Sequence, residues 1–131
     1  EQSKMKEKLL ELLDKAYAPY SKFKVSAIIV MKDGSMVSGV NVENASYGAT
    51  ICAERNAITT AITKGYKPQD FNKLYVMTSG HKISSCCFMC RQVIVEFFDK
   101  DCEVILMDKL GNQKALKVSE LCPYPFDETY L

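Results

Sequence analysis

Cys52-Ala53-Glu54 and Cys87-Phe88-Met89-Cys90 constrain this chain more than any other feature, because their chemistry requires two segments 35 residues apart to meet. Cys87 and Cys90 are one helical turn apart and offer two thiolates on one face. Cys52 offers a third thiolate, and Glu54 adds a carboxylate two residues on. Zinc with three protein ligands keeps its fourth position open for water, which is the catalytic arrangement. A glutamate beside such a position can carry protons. Helix N-termini carry about half a positive charge and lower thiol pKa, so Cys52, Cys87 and Cys90 are suited to be thiolates if each segment opens a helix.

The 131 residues predict one domain over 1–131, with a core that needs no staples. Six cysteines could form a disulfide framework, but they are clustered rather than spread, and clustering in a reducing compartment points to metal. The chain opens on a charged stretch, Glu1 to Lys8, rather than a signal peptide, so the expected location is the cytoplasm. No apolar run approaches a membrane span of roughly 18 residues. Net charge is +1, from 17 basic and 16 acidic side chains, which leaves no electrostatic footprint for a nucleic-acid backbone. A small neutral substrate suits that balance. His81 is the only histidine and is expected on a loop or the surface, so a histidine-ligand metal site is disfavoured.

Apolar spacing predicts a helix over 4–17, ended by Pro19. Phe23 to Met31 and Met36 to Val42 read as strands joined by a hairpin turn at Lys32-Asp33-Gly34-Ser35. A helix follows from Ile51 to Ile62, closed by Gly65 and Pro68. Strand Lys73 to Thr78, helix Cys87 to Phe98, strand Glu103 to Met107 and a short strand near Lys114 to Val118 complete the pattern. Strands alternating with helices predict an α/β layered fold with a mixed sheet. The opening hairpin must be antiparallel, and the later strand–helix–strand crossover should be parallel. Cys52 and Cys87 then stand at helix starts on neighbouring elements.

The ordered set of Phe23-Lys24-Val25, Gly39-Val40-Asn41-Val42-Glu43-Asn44, Cys52-Ala53-Glu54-Arg55, Cys87 through Gln92 and Phe126 resembles the homotetrameric zinc-dependent cytidine deaminases. The resemblance implies a three-layer α/β/α fold with a five-stranded mixed sheet. It implies Zn2+ on Cys52, Cys87 and Cys90, and hydrolytic deamination of cytidine and deoxycytidine, the chemistry of pyrimidine salvage. Glu54 would be the catalytic proton carrier. Phe23 would stack on the base, while the backbone of Ala53 and Ser85 holds the base edge. Asn41 and Glu43, two apart in an extended segment and so on one side of it, would contact the ribose. Tyr47 and Phe126 would reach a neighbour's active site. Arg55, and also Arg91, would tune the surplus negative charge of three thiolates.

The chain departs from the family pattern at Cys86, where proline is usual, at Phe88, where glycine is usual, and at Cys122, where leucine is usual. Cys86 introduces a fourth candidate ligand or an alternative register. Three rival readings follow. Among deaminases, the alternatives are an RNA- or DNA-editing role or action on a modified nucleoside such as blasticidin S, with Phe88 adding bulk next to the metal helix. A structural zinc module would recruit Cys86 or Cys122 as a fourth ligand and leave Glu54 without a task. A thiol–disulfide oxidoreductase would use Cys87 and Cys90 without metal.

Overall fold

In the computed structural model, residues 2–131 are described, and Glu1 of the charged opening stretch lies outside the described residues. The elements are α1 (Gln2–Leu13), β1 (Val25–Met31), β2 (Met36–Val40), α2 (Ala53–Thr63), β3 (Phe71–Thr78), α3 (Phe88–Phe97), β4 (Glu103–Asp108), β5 (Gln113–Lys117) and a short α4 (Val118–Leu121). The sheet has five strands in the order β2-β1-β3-β4-β5. β1 is antiparallel to both β2 and β3, β3 and β4 run parallel across the α3 crossover, and β5 is antiparallel to β4. The sheet is therefore mixed, as the alternation of elements predicts.

Side chains that alternate along the central strands divide the core in two. Ala27, Ile29, Leu74, Val76, Val104 and Leu106 face one way and pack with Ala57, Ile58 and Ala61 of α2 and Cys90 and Ile94 of α3. Ile28, Tyr75, Met77, Ile105 and Met107 face the other way and meet Met5, Leu9 and Leu13 of α1. Both faces of the central strands are covered, which is why those strands read as nearly continuous apolar runs rather than as an apolar–polar alternation. The result is the three-layer α/β/α arrangement. A register shift sets Val30 opposite Lys73 and Met31 opposite Phe71, leaving Asn72 as the extra residue of a bulge. The bulge turns Phe71 onto the same face as Leu74 and Val76, where it packs edge-on against Phe98 with ring centroids 5.2 Å apart.

Several expected boundaries move: β1 begins at Val25, α2 at Ala53 and β3 at Phe71, Val118 opens α4 instead of ending β5, and two further shifts bear on the site. α1 stops at Leu13 instead of residue 17, because the backbone of Tyr17 is recruited elsewhere. Its N–H donates to the Asn41 carbonyl at 3.0 Å and its carbonyl accepts from Glu43 N–H at 2.8 Å. β2 correspondingly ends at Val40, and Val42 is held by isolated bridges to Tyr17 and Ile51. Those bridges anchor the loop leading to Cys52. α4 is too short for a helical period to register in the sequence.

α2 lies against β2 so closely that a Cβ on Gly39 would meet the Ala57 nitrogen at 2.5 Å and the Ala53 carbonyl oxygen at 2.7 Å. Only glycine permits that approach. The contact fixes the first turn of α2, which carries Glu54, against the sheet.

Candidate active site

Cys52 is the N-cap of α2, and Cys87 is the N-cap of α3. Both helices thus begin at the same place, and the helix-start expectation for the two cysteines holds. Cys90 lies in the first turn of α3, and its backbone N–H donates to the Cys87 Sγ at 3.4 Å. The sulfurs of Cys52, Cys87 and Cys90 lie within 4.8 Å of one another, and Cys52 Sγ is 3.7 Å from Cys87 Sγ. Tetrahedral zinc with Zn–S bonds of about 2.3 Å requires sulfurs about 3.8 Å apart, so the observed spacing fits that ion. Among the described residues no fourth ligand joins the three, and Cys86 is a buried free thiol outside the group. All six cysteines are free. A three-ligand group suits a catalytic metal, not a closed structural one.

The electrostatics favour thiolate at Cys52. Hydrogen bonding from the Cys90 thiol, joined by Arg55 and Cys87, holds the Cys52 thiol well below its ordinary range. Arg55 Nη2 donates to Cys52 Sγ at 3.6 Å. The Cys90 thiol is pushed up, chiefly because it is the donor to Cys52. Burial, reinforced by the neighbouring Glu54, pushes the Cys86 thiol up, which keeps it protonated and inert.

Glu54 is 5% exposed, and burial raises its carboxyl above the ordinary range. A buried carboxyl with a raised pKa, facing a cleft, is equipped to hold and release a proton. It lines a cavity of about 200 Å³ together with Cys52, Cys87, Phe23, Asn41, Glu43 and Ser85. The cavity thus gathers residues from the segment after β2, the start of α2, the loop before α3 and the segment entering β1. Ala53, fully buried, connects Cys52 to Glu54 at the start of α2.

Asn41 and Glu43 are held by the protein itself. Asn41 Oδ1 accepts from Val25 N–H at 2.8 Å, and Asn41 Nδ2 donates to the Phe23 carbonyl at 2.9 Å. The Glu43 carboxylate accepts from the backbone N–H groups of Tyr20 and Ser21, at 3.0 and 3.1 Å, and from the Ser21 hydroxyl. The Ser21 hydroxyl and these backbone donors lower its carboxyl pKa and keep it ionised. Each side chain retains acceptor or donor capacity beyond these bonds, so both remain able to meet a ligand while being prevented from wandering.

Arg91 has partners other than the sulfurs. Its guanidinium donates to the Cys86 carbonyl at 2.9 Å, the Leu121 carbonyl at 2.8 Å and the Ser85 hydroxyl at 2.8 Å, and stacks 4.4 Å from the Phe88 ring centroid. It ties the loop before α3 to α4. Tyr47 is 73% exposed and lines an adjoining groove with Tyr20 and Thr50, not the cavity of Glu54. Phe126 is 59% exposed and stacks on Tyr130, with centroids 5.5 Å apart. His81 is exposed in the loop after β3. The sequence does not single out Ser21, Thr50, Val76, Thr78 or Ser84, all on the cavity wall. For Val76 and Thr78 the alternation of β3 was the usable sign, since both lie on the α2–α3 face.

A family model for the cytidine and deoxycytidylate deaminase zinc-binding region matches residues 1–106. The cytidine deaminase of Halalkalibacterium halodurans is 42% identical over 111 residues, covering 85% of this chain and 83% of that protein. The cytidine deaminase of Mycoplasma genitalium is 36% identical over 110 residues, covering 84% of this chain and 83% of that protein. The crystal structure of cytidine deaminase from Burkholderia pseudomallei matches with a TM-score of 0.88 at 41% identity, over 92% of this chain and 94% of that one.

Proposed function

The chain belongs to the cytidine and deoxycytidylate deaminase family, and from that premise we propose that Glu54 and the three-cysteine group carry out hydrolytic deamination of cytidine and deoxycytidine. The observation that carries this reading is the buried carboxyl of Glu54 in the same cavity as Cys52 and Cys87. Cys52, Cys87 and Cys90 would hold the zinc, which supplies a Lewis acid and a water acidic enough to attack at neutral pH.

The chain's own residues account for the rest. The net reaction places the water oxygen on C4 of the base, protonates N3, breaks the C4–N4 bond and releases ammonia. Glu54 takes the proton from the water, delivers it to N3 and then serves the departing amine. Glu43, the other carboxylate of the cavity, is committed to Ser21 and nearby backbone donors. In this reading Asn41 and Glu43, which keep bonding capacity beyond their protein partners, would grip the ribose, Phe23 would stack on the base, and the backbone of Ala53 and Ser85 would hold its edge. Arg55, hydrogen-bonded to Cys52, draws charge from the sulfurs and keeps the site acidic.

Tyr47 and Phe126, exposed on one chain, are read as groups that complete a neighbour's site in a homotetramer. Among the described residues no helix is long and apolar enough to cross a membrane. We place the enzyme in the cytoplasm and read 1–131 as a single catalytic domain.

The test is an ultraviolet assay of purified protein with cytidine and deoxycytidine, alongside metal analysis. One zinc per chain and conversion of both nucleosides are expected. Glu54→Gln should retain zinc and fold while losing turnover by about 10²–10⁴-fold or more, the contribution of general acid–base catalysis. Near-normal turnover in this variant would eliminate the mechanism.

A further inference from the structure

The loop between α1 and β1 builds a socket around a single carboxylate. Tyr17 pairs its backbone with Asn41 and Glu43, which brings residues 18–23 over the segment that follows β2. The Glu43 side chain then receives three donors from two consecutive residues. Its Oε1 accepts the N–H groups of Tyr20 and Ser21 at 3.0 and 3.1 Å, and its Oε2 accepts the Ser21 hydroxyl. The turn that brings them together is strained at the next residue. Among the described residues, Lys22 is the one non-glycine with a left-handed backbone, at φ 63°. L side chains adopt that conformation rarely, and it persists where surrounding bonds over-determine it.

The proton of the Ser21 hydroxyl has a definite place. Its Oγ accepts the Phe23 N–H at 3.0 Å. A hydroxyl has one proton to give, and an ionised carboxylate can only accept, so that proton lies toward Glu43. One hydroxyl thus joins Glu43 to the backbone of Phe23, and Ser21, Phe23 and Glu43 all line the cavity of Glu54. Each carboxylate oxygen accepts two bonds. Oε1 is filled by the two N–H groups, whereas Oε2 keeps one position beyond the Ser21 bond. The socket therefore leaves Glu43 able to take one further donor, through the oxygen that Ser21 orients.

We propose that Ser21 is a positioning residue for sugar recognition, its hydroxyl holding Oε2 of Glu43 in the orientation that meets a hydroxyl of the nucleoside sugar. This rests on the ribose role given to Glu43 above. The two backbone donors pin Oε1 but leave Oε2 to swing about it. The Ser21 bond stops that swing, so the carboxylate is already aimed before the sugar arrives. Glu54 and the three sulfurs are not part of this set of bonds, so the chemical step should be left alone.

The experiment compares zinc-loaded wild type with Ser21→Ala, Ser21→Cys and Ser21→Thr, on cytidine and on 2′,3′-dideoxycytidine, which lacks both ring hydroxyls of the sugar. Binding of uridine and 2′,3′-dideoxyuridine is measured in parallel. Wild type should prefer the hydroxylated sugars. In Ser21→Ala, KM for cytidine and Kd for uridine should rise about 3- to 10-fold with kcat little changed, while both dideoxy values stay within about twofold of wild type. The preference then shrinks, which general damage to the fold would not produce, because such damage weakens both sugars alike. Ser21→Cys, a weak donor, should fall between, and Ser21→Thr, which keeps the hydroxyl, should stay near wild type. In a Glu43→Ala background, Ser21→Ala should add little, because the hydroxyl acts through the carboxylate. An unchanged sugar preference in Ser21→Ala, or equal weakening of both nucleosides, would overturn the assignment. If the alanine variant does not fold, equal preferences in the cysteine and threonine variants would overturn it in the same way. If wild type converts cytidine yet does not prefer it to the dideoxy nucleoside, the sugar role of Glu43 fails and Ser21 has nothing to position, while deamination stands. Failure of wild type to convert cytidine at all would instead remove the underlying reading, and this assignment with it.

Discussion

Arg55 illustrates how one residue can decide whether a three-thiolate site works. Three thiolates on a divalent ion leave one net negative charge, which weakens the ion as a Lewis acid. The Arg55 contact to Cys52 at 3.6 Å withdraws some of that charge. Arg55→Ala should therefore lose zinc more readily in a chelator titration, by about 10- to 100-fold, the usual cost of removing a group that supports a ligand. Arg55→Gln, still a donor, should fall between. Identical zinc retention in all three proteins would reduce Arg55 to a solvated helix side chain. The register of the cysteines has its own test. Cys87→Ser should empty the site, whereas Cys86→Ser should leave zinc in place, because Cys86 lies outside the three-sulfur group; metal analysis that gives the reverse would show the register to be wrong. At this scale the ligands and Glu54 were legible in the sequence because thiolate and carboxylate chemistry belongs to the residue type and its spacing. Partners supplied by tertiary structure were not: the Ser21–Glu43 contact joins residues 22 apart, and nothing local announces it.

Elements were legible where period and breakers agreed, and misjudged where a tertiary bond intervened. The apolar spacing of α1 runs past Leu13, but Tyr17 pairs with Asn41 and Glu43 and leaves the helix. Nothing local announces that. The packing of α2 on β2 gives a sharper test, because Gly39 sits where any Cβ would collide with the Ala53 and Ala57 backbone. Gly39→Ala should lower stability in urea by about 1–3 kcal/mol, the range for overpacking. It should also depress kcat, since α2 carries Glu54. Unchanged stability would mean that α2 is free to slide. The β4–β5 turn rests on buried Asp108, whose carboxylate accepts from Asn112 Nδ2 at 2.8 Å and from the N–H groups of Leu110 and Asn112 at 2.9 and 3.0 Å. The Asn112 side chain first, then these backbone donors, lower its carboxyl pKa. In the window between folded and unfolded values the unfolded chain binds more protons, so stability there rises with pH. The contribution is complete above the ordinary Asp value of about 3.9 and is lost as pH falls below it. Asp108→Asn should melt lower than wild type near neutrality, and the gap should narrow as the pH is taken below that value. A gap independent of pH would show that the carboxylate charge does not support the turn.

At the scale of the whole molecule, what one chain leaves unfinished becomes informative. Phe88 is 77% exposed, Phe126 59% and Tyr47 73%, a large aromatic display for a single chain. Phe126 is presented by a tail with Pro123 and Pro125, whose fixed φ lowers the entropy lost on ordering. The tail is further tethered by Gln92 Nε2, which donates to the Phe126 carbonyl at 2.9 Å. Its ring nevertheless does not line the cavity of its own Glu54. If the ring closes over a nucleoside bound next door, Phe126→Ala should raise KM strongly, although Glu54 and the sulfurs remain intact. Mixing provides the decisive measurement. Glu54→Gln subunits and Phe126→Ala subunits, each impaired alone, are dissociated and reassembled together. When each site takes Glu54 from one chain and Phe126 from another, roughly a quarter of the sites in a random symmetric assembly recover both residues. Activity should return in that proportion, with wild-type KM. If Phe126 serves only its own chain, no mixed site is complete and nothing returns. A fully active species that sediments as a monomer would end the shared-site reading by itself, because every residue the reaction uses would then have to come from one chain.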